Sequence, residues 1–130
     1  QIQNIKILDH LWRKKAKVKI NVIEDKKLKQ PVGKISGTIA KDDDKCMELA
    51  ILVHPDYRGQ GYAKEGAIEY IKMMRELRPE IVKYRMEIEE SNKASEAVAK
   101  KLEFKLKSVR EVGPSKTKMY RWEDREDEKE

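Results

Sequence analysis

The segment that joins the longest apolar run of the chain to its first clear amphipathic pattern occupies residues 53–65, with the sequence Val53-His54-Pro55-Asp56-Tyr57-Arg58-Gly59-Gln60-Gly61-Tyr62-Ala63-Lys64-Glu65. Before it, the second half of residues 46–53 (CMELAILV) is apolar without alternation, which predicts a central strand covered on both faces. After it, apolar side chains recur at helical spacing from Tyr62 to about Arg78. Gly59 and Gly61 are therefore predicted to lie in a loop between this strand and a helix.

A loop in this position is suited to phosphate. The start of a helix presents backbone N–H groups without intrahelical partners together with the positive end of the helix dipole. Anions bind there, and glycine allows the backbone to approach them closely. The alternative is that the two glycines only make a turn into the helix.

Three kinds of phosphate-binding loop have glycines in such a position, and the spacing of their motifs separates them. A Walker loop requires Gly-Lys followed by Ser or Thr, whereas Gly61 is followed by Tyr62 and Ala63. A dinucleotide fingerprint requires glycine at position 64, which is lysine here. The remaining pattern, Arg/Gln-x-x-Gly-x-Gly/Ala, is filled by Arg58, Gly61 and Ala63, and it resembles the pyrophosphate loop of the GNAT superfamily of N-acetyltransferases.

A second segment resembles the same superfamily. Asn92 and Ser95, followed by residues 101–104 (KLEF), resemble its signature helix, which opens with Asn and Ser and ends in Lys-Leu-Gly-Phe. The resemblance covers roughly residues 32–112. The Tyr-Ala-Lys-Glu continuation of the loop and the Glu-Leu pair at residues 48–49 look most like the branch that acts on ribosomal-protein N-termini, polyamines and some antibiotics.

The rest of the chain is consistent with that fold. Further strands are predicted at residues 16–24, 32–40, 84–90, 105–112 and 116–122, with a turn at 42–45 and a second helix capped by Asn92 whose apolar side holds Ala94, Ala97, Val98 and Leu102. The alternation of strands and helices predicts a mixed α/β (α+β) domain. The resemblance implies a mostly antiparallel twisted sheet with a splayed central parallel pair and helices on both faces.

Residues 1–15 can hold a short strand at Ile5–Leu8 and one turn around Leu11 and Trp12. They are too few for the two helices that wall the acceptor pocket in the superfamily. The pocket is then open, completed by a second subunit in a dimer, or absent, and the sequence leaves these alternatives open.

The resemblance implies acetyl-CoA as cofactor, held between the strands at residues 46–53 and 84–90. Its pantetheine arm would pair with main-chain groups that also stabilise the oxyanion. The implied cofactor-binding residues are Ile51, Leu52, Val53, Arg58, Gly59, Gln60, Gly61, Tyr62, Ala63 and Asn92.

Glu48 is the candidate catalytic residue, because an acceptor amine must lose a proton and a carboxylate on the central strand could assist, directly or through water. Its alternative interpretation is a solvent-facing charge. The tyrosine that protonates the thiolate in many relatives is missing, since Val98, Ala99 and Lys100 occupy that region. A thiol with a pKa of about 8.5 leaves without much help. Glu103 replaces a family glycine at a helix end that favours positive φ.

Composition limits the remaining choices. Residues 1–122 form one predicted domain with 28 bases and 18 acids, and residues 123–130 form an acidic tail predicted to be disordered. The basic body would attract a polyphosphate cofactor or, alternatively, nucleic acid. The single Cys46 excludes an internal disulfide, and neither a signal peptide nor a membrane-spanning run is present, so a cytoplasmic protein is expected. His10 and His54 have no companion at metal-ligand spacing, and no metal is assigned.

Two functions follow. The first is an N-acetyltransferase acting on a protein N-terminus, lysine, polyamine or small amine. The second is a non-catalytic module on a degenerate GNAT fold that binds acyl-CoA, a polyanion or a partner. The intact loop favours the first, while the missing tyrosine and the short N-terminal segment favour the second.

Overall fold

The computed structural model describes residues 5–8, for their backbone, and residues 18–124. The predicted turn at Leu11 and Trp12 and residues 125–130 of the predicted tail lie outside these ranges. The strands are β1 (Ile5–Leu8), β2 (Val18–Asp25), β3 (Gln30–Ile39), β4 (Cys46–Val53), β5 (Lys83–Glu89), β6 (Lys105–Val112) and β7 (Thr117–Glu123); the helices are α1 (Tyr62–Leu77) and α2 (Lys93–Lys101), and one short 3₁₀ turn spans Pro55–Tyr57.

These elements form one seven-stranded sheet with the order β1-β2-β3-β4-β5-β7-β6. Every neighbouring pair is antiparallel except β4 and β5, which are parallel. The predicted mixed, mostly antiparallel sheet with a central parallel pair is therefore confirmed, and β4 is its middle strand. The two parallel strands pair only from Cys46 opposite Lys83 to Glu48 opposite Arg85. Beyond that point they separate, as the resemblance implied.

The hydrophobic core lies on one face of the sheet. Helix α1 contributes Tyr70 and Met74 to it, helix α2 contributes Ala99, and the sheet contributes alternate residues such as Met47 and Met86. Because residues on one side of a strand alternate, these buried positions identify the face that both helices cover. Within residues 18–124, both helices contribute to this one core, where the resemblance implied helices on both faces.

The opposite face explains a second departure from prediction. Strand β4 was expected to be covered on both sides, but Ala50 is exposed and the Leu52 side chain is 55% exposed. Both residues point to the face on which no helix of residues 18–124 packs. The strand is therefore fully buried only at its start, at Cys46 and Met47, and its apolar side chains are partly exposed at its end.

The C-terminal strand runs one residue past the predicted domain boundary at 122. Glu123 belongs to β7 and is buried, and Asp124 receives a hydrogen bond from the backbone N–H of Tyr84 at 2.9 Å. The acidic segment thus begins inside the folded domain. No helix within residues 18–124 is long and apolar enough to cross a membrane.

Candidate functional site

A cleft opens where β4 and β5 separate. It has a volume of about 390 Å³, within the range of small-molecule sites. Its walls come from the end of β4, the middle of β5, the glycine loop, the first turn of α1 and one side of α2. The lining residues are Ile51, Leu52, Val53, Tyr57, Arg58, Gly59, Gly61, Ala63, Lys64, Met86, Asn92, Ala94, Ser95, Ala97, Val98 and Lys101.

The glycine loop has the geometry that its sequence predicts. Gly59 and Gly61 have φ angles of 77° and 84°, in the left-handed region that side chains disfavour. A Cβ built on either glycine would meet no atom within 4 Å, so the space beside both is open. Gly61 is the N-cap of α1 and, having no side chain, supplies no acceptor to the first-turn amides. The loop is therefore a cradle of unsatisfied donors next to an open cleft.

Not every predicted loop residue reaches the cleft with its side chain. Arg58 does, and its Nε donates to the carbonyl of Val53 at 3.1 Å, which ties the loop to the end of β4. Gln60 is exposed and does not line the cleft, and Tyr62 is buried away from it. The predicted roles of these two residues can rest only on their backbone groups.

The Tyr62 hydroxyl donates a hydrogen bond of 2.5 Å to Asp25 at the end of β2. That bond, together with burial, raises the pKa of Tyr62 to about 12. The same bond, helped by the backbone N–H of Leu28, lowers the pKa of Asp25. Tyr62 thus anchors the start of α1 to the sheet rather than contacting a ligand with its ring.

The register of β3 and β4 decides which main-chain groups face the cleft. The N–H of Ala40 donates to the carbonyl of Cys46 at 2.9 Å, and the N–H of His54 donates to that of Val32 at 2.8 Å. Hydrogen-bonded pairs alternate along an antiparallel ladder, so the even-numbered residues of β4 bond to β3. The backbone of Ile51 and Val53 therefore faces the cleft, and Leu52 reaches it only with its side chain.

Helix α2 presents its small and apolar residues to the same cleft. Asn92 caps the helix, as predicted, by accepting a hydrogen bond from the N–H of Ser95 at 3.1 Å. Ala94, Ala97 and Val98, which the sequence placed on a single apolar side, line the cleft instead of the core. Sequence reasoning did not assign them, nor Tyr57 and Met86, to the site. The small size of Ala94, Ala97 and Val98, on the helix that the predicted cofactor-binding residue Asn92 opens, is the signal that could have identified these three.

Glu48 lies at the last position of β4 that pairs with β5, and it does not line the cleft. Its side chain is 38% exposed and its Oε1 accepts hydrogen bonds from Nε of Arg85, at 3.0 Å, and from Nη2 of the same side chain. Arg85 also donates to Asp42 at 2.7 and 3.2 Å. Burial opposes the charge on Arg85, but the bonds to Asp42 and Glu48 outweigh it and raise the arginine's pKa. The bond from Arg85 lowers the pKa of Asp42 to about 2.

The departures from the superfamily pattern are visible in the structure. Glu103 has a φ of 64°, so this helix end does adopt the left-handed conformation that suits the family glycine. Lys100 pairs with Glu96 at 3.0 Å. Cys46 is fully buried, which raises the pKa of its thiol to about 11. Within residues 18–124, no three His, Cys, Asp or Glu side chains form a group that could hold a metal ion.

Solved structures share this fold. The ribosomal L7/L12 alpha-N-protein acetyltransferase RimL has a TM-score of 0.72 at 17% identity, over 82% of this chain and 68% of its own. The microcin C7 self-immunity acetyltransferase MccE, solved with acetyl-CoA and AMP, has a TM-score of 0.70 at 18% identity, over 82% and 60%. The ribosomal-protein-alanine N-acetyltransferase from Brucella melitensis has a TM-score of 0.69 at 22% identity, over 82% and 67%.

The chain thus spans between three fifths and about two thirds of the length of these proteins. No curated protein sequence matches it. Its residues 2–105 match the family described as the acetyltransferase (GNAT) domain, which is well over half of the 130 residues. The splayed parallel strands, the glycine loop at the start of α1 and this sequence match agree with one another. The chain belongs to the GNAT acetyltransferase family.

Proposed function

We propose that this protein is an N-acetyltransferase that transfers an acetyl group from acetyl-CoA to a primary amine. The observation that carries the proposal is the cleft between β4 and β5, with an open glycine loop at one end and, along one wall, β4 backbone that does not pair with β5. Family membership supports the reaction class. The related structures solved with CoA and with acetyl-CoA support the cofactor.

The residues present fit this cofactor. The space beside Gly59 and Gly61 leaves the donors of the first turn of α1 accessible to a pyrophosphate. Arg58, Lys64 and Lys101 line the same cleft and offer positive charge to phosphate groups. The backbone of Ile51 and Val53 can pair with an extended amide-bearing arm.

Further contacts extend the fit toward α2. The Oδ1 of Asn92 caps that helix, which leaves its side-chain NH₂ as the donor at the cleft. Ala94, Ala97 and Val98 supply an apolar wall without bulky groups. The amine would meet Glu48 at the point where the strands begin to separate.

When bound, acetyl-CoA would supply the activated acetyl thioester. Main-chain N–H groups on the cleft side of β4 would stabilise negative charge on its carbonyl oxygen. Glu48 would accept the proton of the attacking amine, directly or through water, while its partner Arg85 holds the carboxylate in place. The released thiolate would take its proton from solvent, because the side chains of Val98 and Ala99 carry no acid.

For the acceptor we propose the N-terminal amine of a protein as the first class to test. RimL and the Brucella melitensis enzyme are both named for ribosomal-protein acceptors. The branch suggested by residues 62–65 includes the same class, alongside polyamines. A ribosomal acceptor would place the protein in the cytoplasm.

Two measurements test the proposal in sequence. Thermal stabilisation by acetyl-CoA comes first, followed by thiol release with a panel of N-terminal peptides, lysine peptides, polyamines and small amines. Stabilisation with turnover on at least one amine is the expected result. Stabilisation without turnover on any of them supports instead a module that binds acyl-CoA without catalysis, and no stabilisation at millimolar cofactor rules out both.

Gly61→Ala sharpens the binding test. The new Cβ would occupy the open space where the cofactor's phosphates are proposed to lie, so acetyl-CoA affinity should fall by about tenfold or more. Gly113→Ala in the turn between β6 and β7 is the matched control, since Gly113 also has positive φ, at 74°, and nothing within 4 Å. Both variants meet the same backbone strain, about 1–2 kcal/mol. Equal affinities in the two variants would remove the loop from the proposed site.

A further inference from the structure

The three-residue cluster of Asp42, Glu48 and Arg85 stands at the point where β4 and β5 separate. Arg85 faces Glu48 in the last parallel pair of the two strands. Its guanidinium is only 5% exposed and donates to both carboxylates, two bonds to each. A nearly buried arginine needs such partners, because its charge is costly to remove from water.

The arrangement is asymmetric in a way that matters for Glu48. Both bonds from Arg85 reach the same oxygen, Oε1, and Oε2 accepts no hydrogen bond from residues 18–124. Asp42 holds the guanidinium from its other edge through Nη1 and Nη2. Since the guanidinium is planar and its donors form a rigid fork, fixing one edge also fixes the other.

The charges point the same way. Two carboxylates and one guanidinium leave the cluster with one net negative charge, and Arg121 approaches Asp42, not Glu48, at 3.8 Å. The Glu48 side chain is 38% exposed, whereas that of Arg85 is 5% exposed. A positively charged amine would therefore find a carboxylate oxygen that no residue within 18–124 shares and whose position is set in advance.

We propose that Arg85, anchored by Asp42, is a positioning residue that fixes Oε1 of Glu48 and so presents Oε2 to the acceptor amine. This inference rests on the proposed role of Glu48 as the group that assists the amine. Arg85 itself touches neither cofactor nor amine. It acts on turnover only through Glu48, and that is the property a double-mutant experiment can isolate.

The experiment compares Arg85→Lys, Glu48→Gln and the double variant on the best amine of the panel. Lysine keeps the positive charge but cannot make the two-edged set of bonds. Glu48→Gln should lower kcat by about 100-fold, and Arg85→Lys by about tenfold. In the double variant, kcat should equal that of Glu48→Gln alone. The affinity for acetyl-CoA, measured by calorimetry, should stay within about twofold throughout.

Two further variants guard against loss of folding. Asp42→Asn removes the outer anchor at a largely exposed side chain, so it should fold and should lower kcat in the same direction as Arg85→Lys. Arg110→Lys is the matched control, because Arg110 makes an exposed contact of 3.4 Å with Glu87 in the same sheet and should leave kcat unchanged.

The outcomes separate this inference from the proposed function. Additive losses in the double variant would overturn it, as would normal kcat in both Arg85→Lys and Asp42→Asn. Normal kcat in Glu48→Gln would overturn it too, because there would be nothing to position. If the wild-type protein binds no acetyl-CoA or acetylates no amine in the panel, the proposed function fails and this inference falls with it.

Discussion

Tyr62 is a residue whose role depends on a partner far away in the sequence. It opens α1 directly after the glycine loop, and its hydroxyl reaches Asp25, which lies 37 positions earlier. Asp25 also accepts bonds from the N–H groups of Lys27 and Leu28 and so closes the turn after β2. The carboxylate of Asp25 therefore links the start of α1 to the end of β2.

Tyr62→Phe should destabilise the fold in a pH-dependent way. The lowered pKa of Asp25 means that its contribution is complete above its ordinary value of 3.8 and is lost as pH falls through the folded-state value. The raised pKa of Tyr62 means that its contribution is complete below 10 and is lost as pH rises through about 12. Urea unfolding across pH should show the largest difference from wild type between about pH 4 and pH 10.

Tyr57→Phe provides the comparison for that series. Tyr57 donates to the side-chain carbonyl of Gln30 at 2.8 Å, a neutral partner at an exposed site. Its effect on unfolding should not change between pH 3 and pH 7. A Tyr62→Phe difference that is equally flat over this range would contradict the role given to Asp25.

Single residues were predictable where the signal is local. The loop glycines at 59 and 61 and the Asn92 cap follow from neighbours within a turn, and the structure confirms both. The partner of Glu48 was not predictable, because Arg85 lies 37 positions away and no local pattern links the two residues. Long-range pairs of this kind need the strand register, which sequence periodicity does not supply.

At the scale of elements, α2 has two different apolar sides. Ala99 is fully buried against the core, whereas Ala97, two positions earlier, is exposed and lines the cleft. The periodicity of the helix predicted an apolar stripe but could not distinguish packing against protein from packing against a ligand. The same limit affected the end of β4, where the exposed Leu52 belongs to the cleft.

Leucine substitutions on α2 can separate these two environments. Ala99→Leu should destabilise the protein by about 1–3 kcal/mol, because the larger side chain overpacks a filled core. Ala97→Leu should change stability by less than about 0.5 kcal/mol, since the position is exposed, and should weaken acetyl-CoA binding. Urea denaturation and calorimetry of both variants provide the two readings. If Ala97→Leu were the more destabilising of the two, the placement of the cleft would be wrong.

Among the elements themselves, prediction was most successful where the apolar pattern was strong or where a proline or glycine marks the end of an element. Strand β4 and strand β6 have the predicted limits, and α1 ends just before Pro79 as expected. Strand β3 begins earlier than predicted, at Gln30, because Pro31 lies next to a bulge in β3 itself, at Val32, and proline is tolerated at bulges. The short strand at Ile5–Leu8 also forms, pairing with β2.

At the scale of the whole molecule, the structure shows where part of the excess of basic residues lies. Arg58, Lys64 and Lys101 come from three separate elements and converge on one cleft. Composition could predict attraction to a polyanion but not which lysines take part. Lys93 and Lys100, which also belong to α2, instead pair with Glu96 on the surface of that helix.

Affinity for acetyl-CoA should therefore depend on salt. Raising ionic strength from about 0.05 to about 0.5 M should weaken binding by about three- to tenfold, because screening shortens the reach of these charges. S-acetyl-pantetheine, which lacks the phosphates, should bind with little salt dependence. Lys101→Gln should reduce the salt effect on acetyl-CoA binding, and Lys116→Gln, in the exposed turn before β7, should not. Identical salt dependence in the two variants would contradict the placement of the phosphates.

The burial of Cys46 has a practical consequence. It is the only cysteine among the 130 residues, and its side chain is fully covered at the start of β4. A chromogenic reagent for free thiols should thus detect the CoA that the proposed reaction releases, without reacting with Cys46 of the folded protein. When the chain unfolds, the thiol of Cys46 becomes accessible and reacts once per molecule. The same reagent can therefore measure both acetyl transfer and the rate of unfolding.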